Sequence, residues 1–191
     1  MSYKLFFRPM AAMALVATLL PVPPVLAADS STAVADSDVH VERANGSFIV
    51  DMNIHVSVDP ARAWAVLTDF EHMADFVPNL TSSQVTERSE TLVKVTQKGT
   101  AHYGIFSTHF ESVREIHLVP KHEIRAHGVG GSIQHVESLM QLEPDGTGTR
   151  LTYHAEVMPG TWFPPLIGPS LVQHQTAEQF SAMLHEMLKQ P

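Results

Sequence analysis

The chain of 191 residues contains no cysteine. Disulfides, thiol nucleophiles and cysteine metal sites are therefore excluded, and the fold must rely on an apolar core. Basic residues are also scarce, with 12 Lys+Arg against 20 Asp+Glu and no basic run anywhere. Nucleic acids and anionic membrane surfaces both need clustered Lys and Arg, so neither is expected as a partner. The 12 histidines include no H-x-H or H-x-x-x-H pair. Without such spacing two imidazoles do not share a strand or helix face, and no metal is expected. Scattered histidines mark solvated faces, and His55, His109, His117 and His154 all fall on strand positions assigned outward. No G-x-S-x-G occurs, and the GVGG run at 128–131 joins two strands, so no helix N-terminus follows it to cradle a phosphate.

What is present begins with an address. Lys4 and Arg8 precede an apolar run from Met10 to Leu20, PVPPVLA follows, and Val25 and Ala27 stand as the small residues before a cleavage point. This is the pattern of a secretory signal peptide, too short and too proline-broken to span a bilayer. No cysteine adjoins the cleavage point, so no bacterial lipid anchor is expected. Removing residues 1–27 leaves 164 residues with a formal charge of −10, since Lys+Arg falls from 12 to 10 against 20 Asp+Glu. That length suits one domain with a sizeable core. The expected organisation is a signal peptide over 1–27, a disordered leader over 28–37 made of small polar residues, and one ligand-binding domain over 38–190. An exported, periplasmic protein without stable membrane insertion after cleavage follows; no pattern specifies an oligomeric state.

The domain opens with alternation over Val39 to Arg43, an Asn45-Gly46 turn, and a second alternating strand carrying Phe48, Val50, Met52, Ile54, Val56 and Val58 on one face. Asp59-Pro60 caps a helix, and Trp64, Leu67, Phe70, Met73 and Phe76 recur at threes, which suits two short helices interrupted near Thr68-Asp69. From Ser82 to Val157 strand patterns alternate with turn signals at Ser89-Glu90, Gly99, Pro120-Lys121, 128–131 and Asp145-Gly146. The longest amphipathic helix comes last, from about Pro169 to Leu188. One face carries Val172, Thr176, Ala177, Phe180, Met183, Leu184, Met187 and Leu188, and the other His174, Gln175, Glu178, Gln179, His185, Glu186 and Lys189. Gln173 falls inside the apolar arc, as either a polar group aimed into a cavity or a first-turn residue reaching water. The fold class is α+β: an antiparallel sheet of about seven strands curled around a long C-terminal helix, with two short helices after the first long strand.

Three segments, DPARAWAVLTDFEHMADFVPNL, LEPDGTGTRLTYHAEV and WFPPLIGPSLVQHQ, resemble the helix-grip fold of the START-like (SRPBCC) superfamily. Within it the chain is similar to the polyketide cyclase and coenzyme Q-binding branch, over about residues 46 to 188. The resemblance implies a deep apolar cavity between sheet and terminal helix that holds lipids, quinones, polyketides or hormones. It carries no catalytic signature. Where such relatives often have a large aromatic before the LEP strand end, this chain has Met140, which implies a wider or softer cavity.

Strand parity places Val93, Val95, Phe106, Phe110, Val136, Met140, Leu142, Leu151, Tyr153, Ala155 and Val157 inward. Phe76, Trp162 and Phe163, outside the strands, are candidates to cap the mouth. The candidate ligand contacts are Phe76, Phe106, Phe110, Met140, Tyr153, Trp162, Gln173 and Phe180. Tyr153 is the preferred polar contact, ahead of Tyr103. No catalytic residue, cofactor or metal is assigned. The first functional reading is a non-enzymatic exported protein that holds a hydrophobic small molecule, whether lipid, quinone or polyketide-like. The second is a cyclase or aromatase in which Tyr153, His135 or Gln173 moves protons, although parity sets His135 outside. The third is a protein-docking module.

Overall fold

Two residues with positive φ, Asn45 at 51° and Gly46 at 88°, reverse the chain and set up its first hairpin. The computed structural model describes residues 32–103, 106–160 and 168–189. The signal-peptide reading of 1–27 lies outside them. Across the hairpin β1 (Val39–Ala44) pairs antiparallel with β2 (Ser47–Val56). Asp59 then caps α1 (Pro60–Leu67), its carboxylate accepting from the Ala61 N–H at 2.9 Å and the Arg62 N–H at 3.1 Å. The helix stops at Thr68, and α2 (Met73–Phe76) follows, so the interruption falls where the apolar spacing predicts.

Six more strands follow as a meander: β3 (Leu80–Arg88), β4 (Leu92–Tyr103), β5 (Phe106–Val119), β6 (Glu123–Gly131), β7 (Ile133–Asp145) and β8 (Gly148–Pro159). The sheet has eight antiparallel strands where about seven were expected, in the order β1-β2-β8-β7-β6-β5-β4-β3. Register shifts within β3–β4, β5–β6 and β7–β8 mark bulges, which bend and twist a sheet. The last element, α3 (Gly168–Leu188), buries Leu171, Ala177, Phe180, Leu184 and Met187. Its lower half packs with β2, β7 and β8 in one cluster, while Phe70, Met73, Val77, Val93, Val95, Ile116 and Ala126 form a second. Arg62 ties α1 to the end of α3, donating to the carbonyls of Glu186 at 2.7 Å, Met187 at 3.2 Å and Lys189 at 3.3 Å. These are carbonyls that a helix end leaves without internal partners. No helix among the described residues is long and apolar enough to cross a membrane.

Three expectations are corrected. Gly99 is not a turn: it sits within β4 opposite Phe110, and β4 continues to Tyr103. A Cβ there would lie 2.0 Å from the Asn79 carbonyl oxygen and 2.7 Å from the Phe110 ring, so glycine serves close approach rather than chain reversal. The run 128–131 likewise belongs to β6. Val113 pairs with Gly130 and Arg114 with Gly128, which leaves Val129 as the extra residue of a bulge.

The third correction concerns the leader. Residues 32–37 are described and packed. Val34 is buried, its N–H donates to Ser181 Oγ at 2.9 Å, and the Ser181 hydroxyl donates back to the Val34 carbonyl at 3.1 Å. A 3-10 turn, Asp36–Asp38, follows. The Gln173 amide donates to the carbonyls of Asp36 at 2.8 Å and Val39 at 2.9 Å. The Gln173 amide thus donates to backbone of the same chain, and the residue is not among those that line the cavity described below. Replacing Gln173 with Ala should lower unfolding stability by about 1 kcal/mol in a denaturant titration while leaving ligand retention unchanged.

Candidate functional site

Between the sheet and α3 lies a cavity of about 350 Å³. Its walls follow from the two-residue period of the strands. Phe110, Ser112, Arg114 and Ile116 reach it from β5, Ile124 and Ala126 from β6, Val136, Ser138 and Met140 from β7, and Tyr153, Ala155 and Val157 from β8. Leu80 of β3 and Gln97 of β4 extend the same wall. Phe48 and Val50 close it from β2, Leu67, Phe70 and Met73 from the two short helices and the chain between them, and Leu171, Thr176, Phe180 and Met183 from α3. The exposed wall residues His109, Ser132 and Gly160 mark the end nearest solvent. Tyr153 and Phe180 meet with ring centroids 5.0 Å apart at 60°, a tilted contact that joins sheet to helix across the cavity.

Of the residues expected from the sequence, Phe110, Met140, Tyr153 and Phe180 line the cavity. Phe76 does not; it packs between the two buried clusters. Gln173 faces the N-terminal segment, as described above. The side chains of Phe106 and Tyr103, and all of Trp162 and Phe163, lie outside the described residues. Val93, Val95, Leu142 and Leu151 are buried as parity predicts but fill the clusters beside the cavity. Gln175 and Gln179, assigned to the outer face of the last helix, contribute to the wall. The reason for Gln175 is visible: it accepts from the Asn79 amide at 2.9 Å and donates to the His102 carbonyl at 3.2 Å, bridging α3 to β4.

The residue that sequence reasoning missed is Arg114. Its signal was available, because Phe110, Ser112, Arg114 and Ile116 share one strand face. Around it runs a buried chain of hydrogen bonds with a fixed direction. The Ser83 hydroxyl donates to the Phe70 carbonyl at 2.5 Å, which leaves its lone pairs to accept from Gln97 Nε2 at 3.1 Å. Gln97 Nε2 also reaches Met73 Sδ at 3.4 Å. That fixes the amide so that Oε1 faces Arg114 and accepts from Nη2. Arg114 Nε is buried with no partner. Among the described residues the wall holds no carboxylate.

Burial pulls the Arg114 guanidinium below its usual range, with the nearby Tyr153 acting in the opposite sense. A guanidinium nevertheless stays charged at neutral pH. Burial pushes the Tyr153 phenol up, opposed by Arg114 and by its hydrogen bond with Ser138. Tyr153 is therefore a neutral donor in the cavity, and the site offers one cation and one phenol on a largely apolar wall that also carries neutral amide and hydroxyl groups.

This arrangement, a curved antiparallel sheet gripping one long helix around an apolar cavity, defines a hydrophobic-ligand-binding helix-grip fold. The family described as polyketide cyclase / dehydrase and lipid transport matches residues 47–189, and the chain belongs to it. Solved structures agree on the fold. A protein from Thermus thermophilus superimposes with a TM-score of 0.62 at 16% identity, covering 73% of this chain and 97% of that one. The Zhui aromatase/cyclase from a Streptomyces species gives 0.62 at 15% identity, over 74% and 93%. A STAR-related lipid transfer protein from Xanthomonas axonopodis gives 0.62 at 13% identity, over 80% and 99%. No curated protein matches the chain.

A raised phenol in the folded state binds its proton more tightly than in the unfolded chain. Its contribution to stability is complete below about pH 10 and is lost as pH rises towards the folded-state value. An ultraviolet titration should therefore show one tyrosine ionising above the ordinary range, and Tyr153→Phe should abolish that late step.

Proposed function

We propose that the chain is an exported, non-enzymatic carrier that holds a hydrophobic small molecule in the cavity between sheet and α3. The observation that carries this reading is the wall: side chains from seven strands and three helices enclose about 350 Å³ that is largely apolar, with Arg114 as its one Lys or Arg among the described residues. Concave apolar surface with a few convergent polar groups is what small-molecule recognition requires. Apolar burial supplies affinity at about 25 cal/mol per Å² before the costs of association. Lipids, quinones and polyketide-like compounds are the classes considered; family membership supports lipid or polyketide, and the quinone reading rests on the resemblance to coenzyme Q-binding proteins. Lys4, Arg8 and the apolar run ending at Leu20 support export, with the periplasm as the compartment.

A second reading has its own support in Tyr153. A phenol held neutral beside a guanidinium can give a proton to a carbonyl or enolate oxygen, the step that an aromatase or cyclase needs during ring closure. In that case Tyr153→Phe lowers turnover with binding intact, whereas a carrier shows no turnover to lower.

Native mass spectrometry of residues 28–191, purified without detergent, tests the carrier. A discrete apolar ligand should accompany the protein, and organic extraction should release it. Met140→Trp and Phe180→Trp fill the cavity and should abolish retention by folded protein. Retention that survives both substitutions contradicts a cavity site.

A further inference from the structure

We propose that Arg114 anchors a carboxylate, so that the cavity's ligand is an amphiphile with one acidic end and one apolar chain. The inference rests on the carrier reading and names the ligand class within it. Four observations converge. Arg114 lies on the cavity wall, yet among the described residues that wall offers it no carboxylate. Arg114 is half-buried, and a half-buried cation without a counter-charge carries a desolvation cost that an anionic ligand offsets.

Its hydrogen bonds are incomplete in a directed way. Gln97 takes one Nη2 donor, and Gln97 is itself held by Ser83 and Met73, so the guanidinium is fixed on one side. Nε remains buried and unpartnered. A fork tethered on one side holds its plane fixed, and a fixed guanidinium plane is preorganised for a planar two-oxygen acceptor at its remaining Nη donors.

The backbone is adapted at the same place. The bulge that leaves Val129 unpaired falls between Val113 and Arg114, in the one stretch of β5–β6 pairing where register shifts. Bulges re-aim neighbouring side chains. Tyr153, hydrogen-bonded to Ser138, is close enough to Arg114 for each to affect the other's proton affinity, and its hydroxyl can donate to a second ligand oxygen.

The class of acid follows from charge and space. Arg114 is the one Lys or Arg among the described wall residues, which suits a single negative charge and not a phosphate monoester. A volume of about 350 Å³ is at the low end for small-molecule sites and suits one apolar chain. Phe110, Met140, Phe180 and Met183 supply the surface for that chain.

The test compares dodecanoate with dodecanol, equal in chain length and different in charge, by calorimetric titration of delipidated residues 28–191. Dodecanoate should bind more tightly. Arg114→Met should weaken it roughly ten- to hundredfold and leave dodecanol unchanged. Circular dichroism checks that the variant folds, and the comparison of the two probes on the unaltered protein needs no variant. Equal affinity for the two probes overturns the carboxylate anchor and leaves the carrier reading standing. Binding of neither overturns both.

Discussion

One helix has to cover a sheet that is too wide for it to fill. The 21 residues of α3 reach about 30 Å, roughly the span of six or seven strands at their usual spacing, but the helix is only about 10 Å across. Where α3, α1 and β2, β7 and β8 meet, side chains close into one core, and Phe70, Met73 and Val77 close with β4, β5 and β6 into a second; the cavity is lined by members of both. Strand alternation then decides what faces that space, because every second residue of a strand points the same way. The apolar wall, the ligand-binding capacity and the family likeness all descend from this mismatch between one helix and eight strands.

The polar corner depends on local devices more than on the global fold. Ser83 is committed to the Phe70 carbonyl, Gln97 is committed to Ser83, and Arg114 receives the remaining amide oxygen. Each step fixes the orientation of the next, so the guanidinium is positioned by a backbone carbonyl at the far end of the network. Opposite, Tyr153 is held by Phe180 and Ser138. Gly99 contributes by absence of a side chain, since β4 there passes both the Asn79 carbonyl and the Phe110 ring.

Periodicity and capping made most of the fold legible. Asn45-Gly46, Asp59-Pro60 and the alternation of Phe48 to Val56 carry their structure in their chemistry, and the last helix shows its face through Phe180, Leu184 and Met187. What misled was glycine inside strands: Gly99 and 128–131 read as turns because the close approach and the bulge that require them are long-range events. The leader misled in a similar way. Val34 is the single large apolar residue among small polar ones, and only the Ser181 hydroxyl and the Gln173 amide, about 140 residues away, give it a place. On the cavity wall, strand parity anticipated Phe110, Met140 and Tyr153, and the helix face anticipated Phe180. Parity passed over Arg114 because a charged residue between Val113 and Glu115 looks solvated until the bulge and the partner Gln97 are known.

The most direct test of this account is a crystal structure of residues 28–191 purified without detergent or delipidation. Continuous elongated density within the cavity, between Arg114 and the Met140–Phe180 wall, is the predicted result. A cavity collapsed by inward movement of Phe110, Met140 and Phe180, or one holding only ordered water, would contradict it.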